Sequence, residues 1–245
     1  MPKQIPRDTM HGRMPPISDH FDHQGYDYSS IPFDYEHNHS WRIFRIMAEF
    51  VDGFNFINKF KKSVTFFGSA RFTPQNRHYK EAQKLARLLG RAGYAIVSGG
   101  GPGIMEAANK GAVEGGGESI GLNIQLPFEQ RINPYVKKAA GFNYFFTRKV
   151  MLAFSAQAFV FFPGGYGTLD ETFEMLTLRQ THKINPRIPI VLVGRDYWGP
   201  LCRWLTDNAM KKHGTIDAEE IKLWDLADTA QEAFALIKKA ASKIR

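Results

Sequence analysis

A glycine-rich turn between an apolar run and a helix is the part of this sequence best suited to chemistry. Residues 159–162 are all apolar and are followed at once by Pro163, Gly164 and Gly165. An apolar run bounded in this way indicates a strand that is buried on both faces and ends in a turn. Apolar residues then recur at helical spacing over 169–180. The sequence therefore predicts a strand, a glycine turn and a helix.

The predicted turn has the features of an anion site. The first turn of a helix carries unpaired N–H groups and the positive end of the helix dipole, and glycine lets an anion come close to the backbone. Thr168 could cap the helix or donate its hydroxyl to a phosphate oxygen. We place Asp170 and Glu171 in the first turn, where acids stabilise the dipole by ~0.3–1 kcal/mol. The dipole does not explain the neighbouring glycines, whereas a phosphate site beside a carboxylate would suit hydrolysis of a phosphorylated sugar derivative.

Two cations precede the apolar run. Arg148 and Lys149 stand near the start of a helix predicted over 148–156, where positive charge opposes the helix dipole. This placement indicates an anionic partner, which could be a ligand, Glu129, Asp170 or solvent.

Two other predicted strands also end in glycine. The strand over 63–69 ends in Gly68 and Ser69, and the strand over 94–98 runs into the glycine-rich segment 99–103. Pro102 suits the first position of the next helix, because its missing N–H costs nothing there.

Strands and helices alternate along the chain. This order predicts an α/β fold, namely a Rossmann-like, doubly wound, mainly parallel sheet with helices on both faces. Ligands bind at the C-terminal ends of such strands, so we expect the glycine-rich ends to meet at one rim. We expect a loop over 127–141 and a helix cap at Thr147. The remaining predicted strands are 119–126, 143–146, 188–194 and 222–226, and the other predicted helices are 75–92, 102–113, 197–212 and 229–245.

The N-terminal part differs in composition from the rest. Residues 1–40 are rich in Pro, His, Asp, Ser and Tyr without periodicity, which indicates a flexible or draped arm. Residues 41–60 are predicted to form an amphipathic helix that packs on the main domain or on a partner chain. The main Rossmann-like domain is expected over 61–245. The predicted apolar face of the helix consists of Trp41, Phe44, Met47, Ala48, Val51 and Phe54.

Two common nucleotide motifs do not match. Ile104 stands where a dinucleotide fingerprint that begins at Gly99 needs its third glycine, and Asn123 and Gln125 stand where that motif expects an acid. Neither glycine turn is followed by the Lys-Ser or Lys-Thr of a P-loop. These mismatches argue against a nicotinamide-dependent dehydrogenase and a P-loop nucleotidase.

Composition narrows the class of partner. The 245 residues carry a net charge of +8, but the basic residues are dispersed and no nucleic-acid motif is present. We therefore expect an anionic small molecule rather than nucleic acid. A single cysteine argues against a disulfide framework, and the histidine spacing matches no standard zinc site. No secretory signal and no apolar run of the required ~18 residues is apparent, so we expect a cytoplasmic protein without membrane contact.

Four segments together resemble one family. The sequence Pro-Gly-Gly-Tyr-Gly-Thr-Leu-Asp-Glu at 163–171 resembles the Pro-Gly-Gly-x-Gly-Thr-x-x-Glu signature of the Lonely Guy (LOG) family, whose members are often labelled lysine decarboxylases. Residues 67–69, 99–105 and 146–149 are similar to that family's other conserved segments, with one glycine of 99–105 displaced by one place. Asp170 stands where shorter members commonly carry Glu. The resemblance covers about residues 63–195.

The resemblance implies a phosphoribohydrolase, which cleaves the N-glycosidic bond of AMP or of an N6-modified AMP (a cytokinin nucleotide) to free base and ribose 5-phosphate. It implies Arg148 and Glu171 as the catalytic pair, no metal or other cofactor, and a homodimer or higher homo-oligomer with the site near the subunit interface. The implied substrate-binding residues are Gly68, Ser69, Gly100, Gly101, Met105, Glu129, Lys149, Gly164, Gly165, Tyr166, Gly167, Thr168 and Asp170.

Two roles and one competing function stay open. Glu171 could stabilise an oxocarbenium-like state or activate water, and Arg148 could anchor the phosphate or stabilise charge on the departing base. A decarboxylase would need a cofactor such as pyridoxal phosphate on a lysine, and nothing in the sequence marks that lysine. The alternative is a carrier of the same fold that binds a nucleotide or a molybdopterin-type cofactor without hydrolysis.

Overall fold

Seven parallel strands form a single sheet in the structure, a computed structural model that describes residues 39–125 and 132–244. The strands are β1 (Ser63–Phe67), β2 (Ala95–Ser98), β3 (Ser119–Ile124), β4 (Lys138–Phe142), β5 (Ala156–Phe161), β6 (Ile190–Val193) and β7 (Asp225–Ala227). Their order in the sheet is β4-β3-β2-β1-β5-β6-β7, with every pair parallel. The predicted fold class is confirmed.

Helices cover both faces of the sheet because the central strands are apolar on both sides. Helices α2, α3 and α7 share one core with Phe66 and Val160, whereas α1, α4, α5 and α6 share the other with Phe159 and Phe161. Strands buried in this way read as continuous apolar runs. The helices are α1 (His39–Ile57), α2 (Arg77–Arg91), α3 (Ile104–Glu114), α4 (Phe145–Phe154), α5 (Tyr166–Gln180), α6 (Arg195–Trp204) and α7 (Ala230–Ile244), with a π-helical segment over Leu205–Lys212 and a 3-10 turn over Glu220–Lys222.

The strand order reverses between β1 and β5. From β1 the chain adds β2, β3 and β4 on one side, and it then returns to place β5 on the other side of β1. A reversal of this kind opens a crevice at the C-terminal ends of the two strands. The fold therefore brings residues 68–69 next to the turn at 163–165.

The predicted strand at 143–146 is wrong, as is the last part of the predicted loop. Lys138–Phe142 pairs with β3 over 120–124 instead, and α4 already begins at Phe145. The segment Lys-Ala-Ala-Gly-Phe has little β-propensity, so only its ladder with β3 makes it a strand. Residues 126–131 lie outside the described residues.

Three predicted helix starts are displaced. Thr147 lies inside α4, whose N-cap is Tyr144, and α3 begins after Pro102 with Gly103 as its N-cap. Helix α5 begins at Tyr166 rather than at 169, so the acids at 170 and 171 lie in its second turn.

Helix α1 packs with a face different from the predicted one. Trp41, Phe44, Met47 and Val51 are exposed, whereas Glu49, Gly53 and Ile57 are buried. Glycine at 53 permits this packing, because a Cβ there would lie 2.8 Å from Met151 Cγ on α4. No described helix combines the length and the hydropathy that a membrane span needs. The predicted arm, apart from His39 and Ser40, lies outside the described residues, and the division into domains stays a prediction.

Candidate functional site

A cavity of about 720 Å³ opens at the C-terminal ends of β1 and β5. Its volume lies within the range of sites that hold small molecules. The structure brings ten of the predicted site residues to its wall, and these are Gly68, Ser69, Met105, Arg148, Gly164, Gly165, Tyr166, Gly167, Thr168 and Glu171.

Two glycines of the turn that follows β5 face open space. A Cβ built on Gly165 or Gly167 would meet no protein atom within 4 Å, and neither residue has a positive φ. Nothing in the described fold therefore requires glycine at these positions. Both residues lie at the start of α5, where unpaired N–H groups accumulate. A ligand that approaches the backbone closely would account for both glycines.

The neighbouring Gly164 is fixed by protein contacts. A Cβ there would overlap the side chain of Thr168, which is buried in the first turn of α5. The Tyr197 hydroxyl on α6 donates a hydrogen bond of 2.5 Å to the carbonyl oxygen of Gly164. This part of the turn is therefore held in place before any ligand arrives.

Arg148 on α4 and Glu171 on α5 lie next to each other in the cavity wall. The distance from Arg148 Nη2 to Glu171 Oε1 is 3.7 Å, and both side chains are largely buried. Burial raises the pKa of Glu171 to about 7, although the Arg148 charge acts in the opposite direction. A pKa raised toward neutrality suits a carboxyl group that gives or takes a proton near neutral pH, as a general acid or base does.

The Arg148 guanidinium keeps a hydrogen-bonding group free. Within 39–125 and 132–244 its buried Nε has no hydrogen-bond partner. Its carbon Cζ lies 5.5 Å from the ring centroid of Phe145, which also lines the cavity. Burial lowers the pKa of Arg148, and Glu171 partly offsets that effect. A buried cation with an unused donor indicates an anionic or hydrogen-bonding ligand.

Lys149 and Asp170 bond to each other and do not line the cavity. Lys149 Nζ lies 3.0 Å from Asp170 Oδ2 and 3.1 Å from Glu174 Oε2. These ion pairs join α4 to α5. Binding of substrate by either residue stays a prediction.

The glycine-rich turn that follows β2, at residues 99–103, contributes fewer residues to the cavity wall than predicted. Gly100 and Gly101 do not line it. Their carbonyl oxygens accept hydrogen bonds of 3.0 and 2.9 Å from the Asn133 side chain. Gly103 has a φ of +69°, and a Cβ there would overlap the backbone of Ser69 and Ala70. The fold itself thus requires glycine at 103. Glu129 lies outside the described residues.

Some wall residues were not predicted from the sequence. Arg71, Phe145 and Tyr197 line the cavity together with several core side chains. Arg71 lies only two residues after Ser69, at the glycine-containing end of the first predicted strand. This position in the sequence could have identified Arg71 as a wall residue. Tyr197 lies on α6, and no local pattern marks its contact with the turn at 164. In the described part of the chain no three His, Cys, Asp or Glu side chains are grouped as a metal site would require.

Similarity to known proteins identifies the family of this chain. A family model described as "Possible lysine decarboxylase" matches residues 105–237. The cytokinin riboside 5′-monophosphate phosphoribohydrolase LOG of Oryza sativa subsp. japonica is 32% identical over 184 residues, which are 71% of this chain and 72% of that protein. The probable enzyme LOGL3 of the same plant is 30% identical over 181 residues, which are 71% of this chain and 82% of that protein. The chain therefore belongs to the LOG family, whose model carries the lysine decarboxylase label.

Two solved structures show the same fold. The X-ray structure of TM1055 is 27% identical with a TM-score of 0.56, and the match covers 73% of this chain and 99% of that one. The molybdenum cofactor binding protein of Rippkaea orientalis is 23% identical with a TM-score of 0.54, over 74% of this chain and 98% of that one.

Proposed function

We propose that this protein is a phosphoribohydrolase that cleaves the N-glycosidic bond of AMP or of an N6-modified AMP to free base and ribose 5-phosphate. The observation that carries the proposal is the buried pair of Arg148 and Glu171 beside the open glycine turn at the start of α5. One group could act at the sugar while the turn holds the phosphate.

The phosphate is assigned to the turn at 164–168. The first N–H groups of α5 and its dipole favour an anion, and Gly165 and Gly167 leave the backbone open to it. A phosphate anchored there would place the ribose along the cavity wall toward Glu171. Binding to the monophosphate rather than to the nucleoside follows from this anchor.

The reaction consumes one water. The bond between the anomeric carbon and the base nitrogen breaks through an oxocarbenium-like state, water adds its oxygen to that carbon, and its proton is passed to the base. The Glu171 carboxylate would stabilise the positive sugar or take the proton of the attacking water. Arg148 would bind the phosphate or stabilise negative charge on the departing base. Glu171 suits such proton transfer because burial brings its pKa to about 7.

The curated relatives support the same assignment. The relative from Oryza sativa is named a cytokinin riboside 5′-monophosphate phosphoribohydrolase, and this chain carries both members of the proposed catalytic pair. A lysine decarboxylase is not supported, because the described wall of the cavity contains no lysine that could bind pyridoxal phosphate.

The test is a base-release assay with purified protein. AMP, GMP, CMP and an N6-prenylated AMP are supplied separately, with adenosine as the matched substrate without phosphate, and free base is followed by chromatography. We expect release from an adenine monophosphate and none from adenosine. The Glu171→Gln variant should bind AMP in calorimetry but release base at least about a hundredfold more slowly than the wild type. Binding of monophosphates by the wild type without any release would overturn the hydrolase and favour a nucleotide carrier.

Two expectations from the sequence stay predictions. Fractionation of cells would test the predicted cytoplasmic location. Light scattering would test the predicted homodimer or higher homo-oligomer by measuring the molecular mass of the protein in solution. Exposed apolar side chains of α1 and α4 in the described chain could contribute to such pairing, among them Phe44, Met47, Phe146 and Phe154.

A further inference from the structure

A buried carboxylate on α1 binds the start of α4. Glu49 is 3% exposed, and its Oε1 accepts hydrogen bonds of 2.8 Å from both the backbone N–H and the side-chain amide of Asn143. Its Oε2 lies 2.7 Å from the Thr147 hydroxyl and 3.4 Å from the backbone nitrogen of Tyr144. Four donors from the start of a single helix therefore surround one carboxylate.

This contact holds the residues that lead into α4. Tyr144 is the N-cap of α4 and makes no side-chain capping bond, and the first turn of the helix contains no acid. The N–H groups of Asn143 and Tyr144 lie just before that first turn, where the dipole favours an anion. Glu49 provides that anion from another helix. It also satisfies the Thr147 hydroxyl, whose second neighbour is the Tyr144 carbonyl oxygen at 2.8 Å.

The turn fixed by Glu49 carries Arg148. The Arg148 backbone N–H donates to the Tyr144 carbonyl oxygen at 3.3 Å, so the same turn sets its position. The guanidinium has few polar contacts of its own, because its Nε is unpartnered in the described chain and its separation from Glu171 is 3.7 Å. Its aim into the cavity therefore depends on where the backbone of α4 begins.

We propose that Glu49 is a positioning residue, through which the N-terminal helix holds the start of α4 and so directs Arg148 toward Glu171. The inference rests on the proposed hydrolase function. It adds a residue from α1, which lies outside the matched segment 105–237. Glu49 lies 98 positions before Thr147 in the chain, so the contact couples two distant segments.

The test compares two carboxylates that accept hydrogen bonds at the starts of different helices. Glu81 is the control, since its Oε2 accepts a 2.6 Å hydrogen bond from the backbone N–H of Ala230 at the start of α7, away from the cavity. We expect Glu49→Ala and Glu81→Ala both to lower Tm. Only Glu49→Ala should lower kcat on AMP, by about 10–100-fold with KM changed less than about threefold, because misplacing a reacting group by about 1 Å has such an effect.

Two milder variants keep the test decisive if Glu49→Ala does not fold. Glu49→Gln retains an oxygen that can accept from Asn143, so its kcat should lie between those of the wild type and Glu49→Ala. Thr147→Val removes the donor on the other side of the contact and should also lower kcat. Wild-type kcat in whichever of the three variants fold would overturn the proposal.

A crystal structure separates failure of this inference from failure of the proposed function. If the wild type releases no base, the hydrolase proposal fails and the kcat values of the Glu49 and Thr147 variants cannot be compared. The position of Arg148 in Glu49→Ala, or in Thr147→Val, then decides. A guanidinium moved away from Glu171 supports the positioning role, and a separation kept near 3.7 Å overturns it.

Discussion

The glycine turns after β2 and β5 are similar in sequence and differ in what surrounds them. In the first turn, Gly100 and Gly103 have positive φ, and an added Cβ would meet Asn123 or the backbone of residues 69–70. In the second turn, Gly165 and Gly167 have ordinary φ and open space beside them. Glycine content alone therefore does not identify a ligand site. The distinction is whether protein atoms or an open cavity occupy the space that a side chain would fill.

The largest effect should come from replacing Glu171, whose carboxyl group lies beside the turn that follows β5. Replacing Glu171 by Gln should lower kcat for base release by about 10²–10⁴-fold, the range that one general acid or base contributes. Steady-state kinetics on AMP would measure the loss. Glu174→Gln is the control, because Glu174 lies on the same helix and pairs with Lys149 but does not line the cavity. Equal losses in the two variants would contradict the role assigned to Glu171.

A substitution in the turn that follows β2 should instead lower the stability of the fold. Gly103→Ala should lower the free energy of unfolding by about 3 kcal/mol, because a disfavoured φ and a backbone overlap add up. Denaturant unfolding would measure it. Gly116→Ala has the same sign of φ at +73° but open space, so it isolates the conformational part of about 1–2 kcal/mol. If both variants lose the same stability, close packing at Gly103 is not the cause.

The Glu171 environment should also appear in the pH dependence of stability. Its pKa is raised from 4.5 to about 7, so the native state binds more protons than the unfolded state between these values. The wild type should therefore lose stability as pH rises from about 4.5 to about 7, by up to about 3 kcal/mol. Urea unfolding at several pH values would follow the slope, which Glu171→Gln should reduce. An unchanged slope would contradict the raised pKa.

The open glycines should tolerate a methyl group in folding but not in binding. Gly165→Ala and Gly167→Ala should leave the free energy of unfolding unchanged, or raise it by up to about 1 kcal/mol where the position is helical. We expect kcat/KM on AMP to fall about tenfold or more, because the methyl group would occupy space assigned to the phosphate. Unchanged kinetics in both variants would show that the turn does not hold the ligand.

The smallest effect should come from the hydroxyl that fixes the second turn. Tyr197→Phe removes the hydrogen bond to the Gly164 carbonyl and should lower the free energy of unfolding by about 0.5–1.5 kcal/mol. Thermal unfolding would detect this as a small fall in Tm. A loss of kcat/KM larger than that of the Gly165→Ala variant would mean that Tyr197 contacts the ligand directly.

Much of the fold and part of the site could be predicted from local sequence. The apolar run at 159–162, its glycine turn and the following helix were expected and are present as β5, the turn and α5. The strand β4 could not be found this way, because Lys138–Phe142 has no periodicity and becomes a strand only by pairing with β3. Helix starts were also misplaced. Helices α3 and α5 begin after Gly103 and Gly165 without a side-chain capping bond, and the start of α4 is held by Glu49, which is distant in the chain.

The sequence by itself determined the alternation of strands and helices, the parallel class of the sheet and the residues that end its central strands. These follow from periodicity and turn residues, which act over a few positions. Only the tertiary structure decided which glycine turn stays open, which face α1 buries and how Glu49, Arg148 and Glu171 are connected. Such features depend on contacts between residues that are far apart in the chain, and local patterns carry no information about which distant atoms fill a given space.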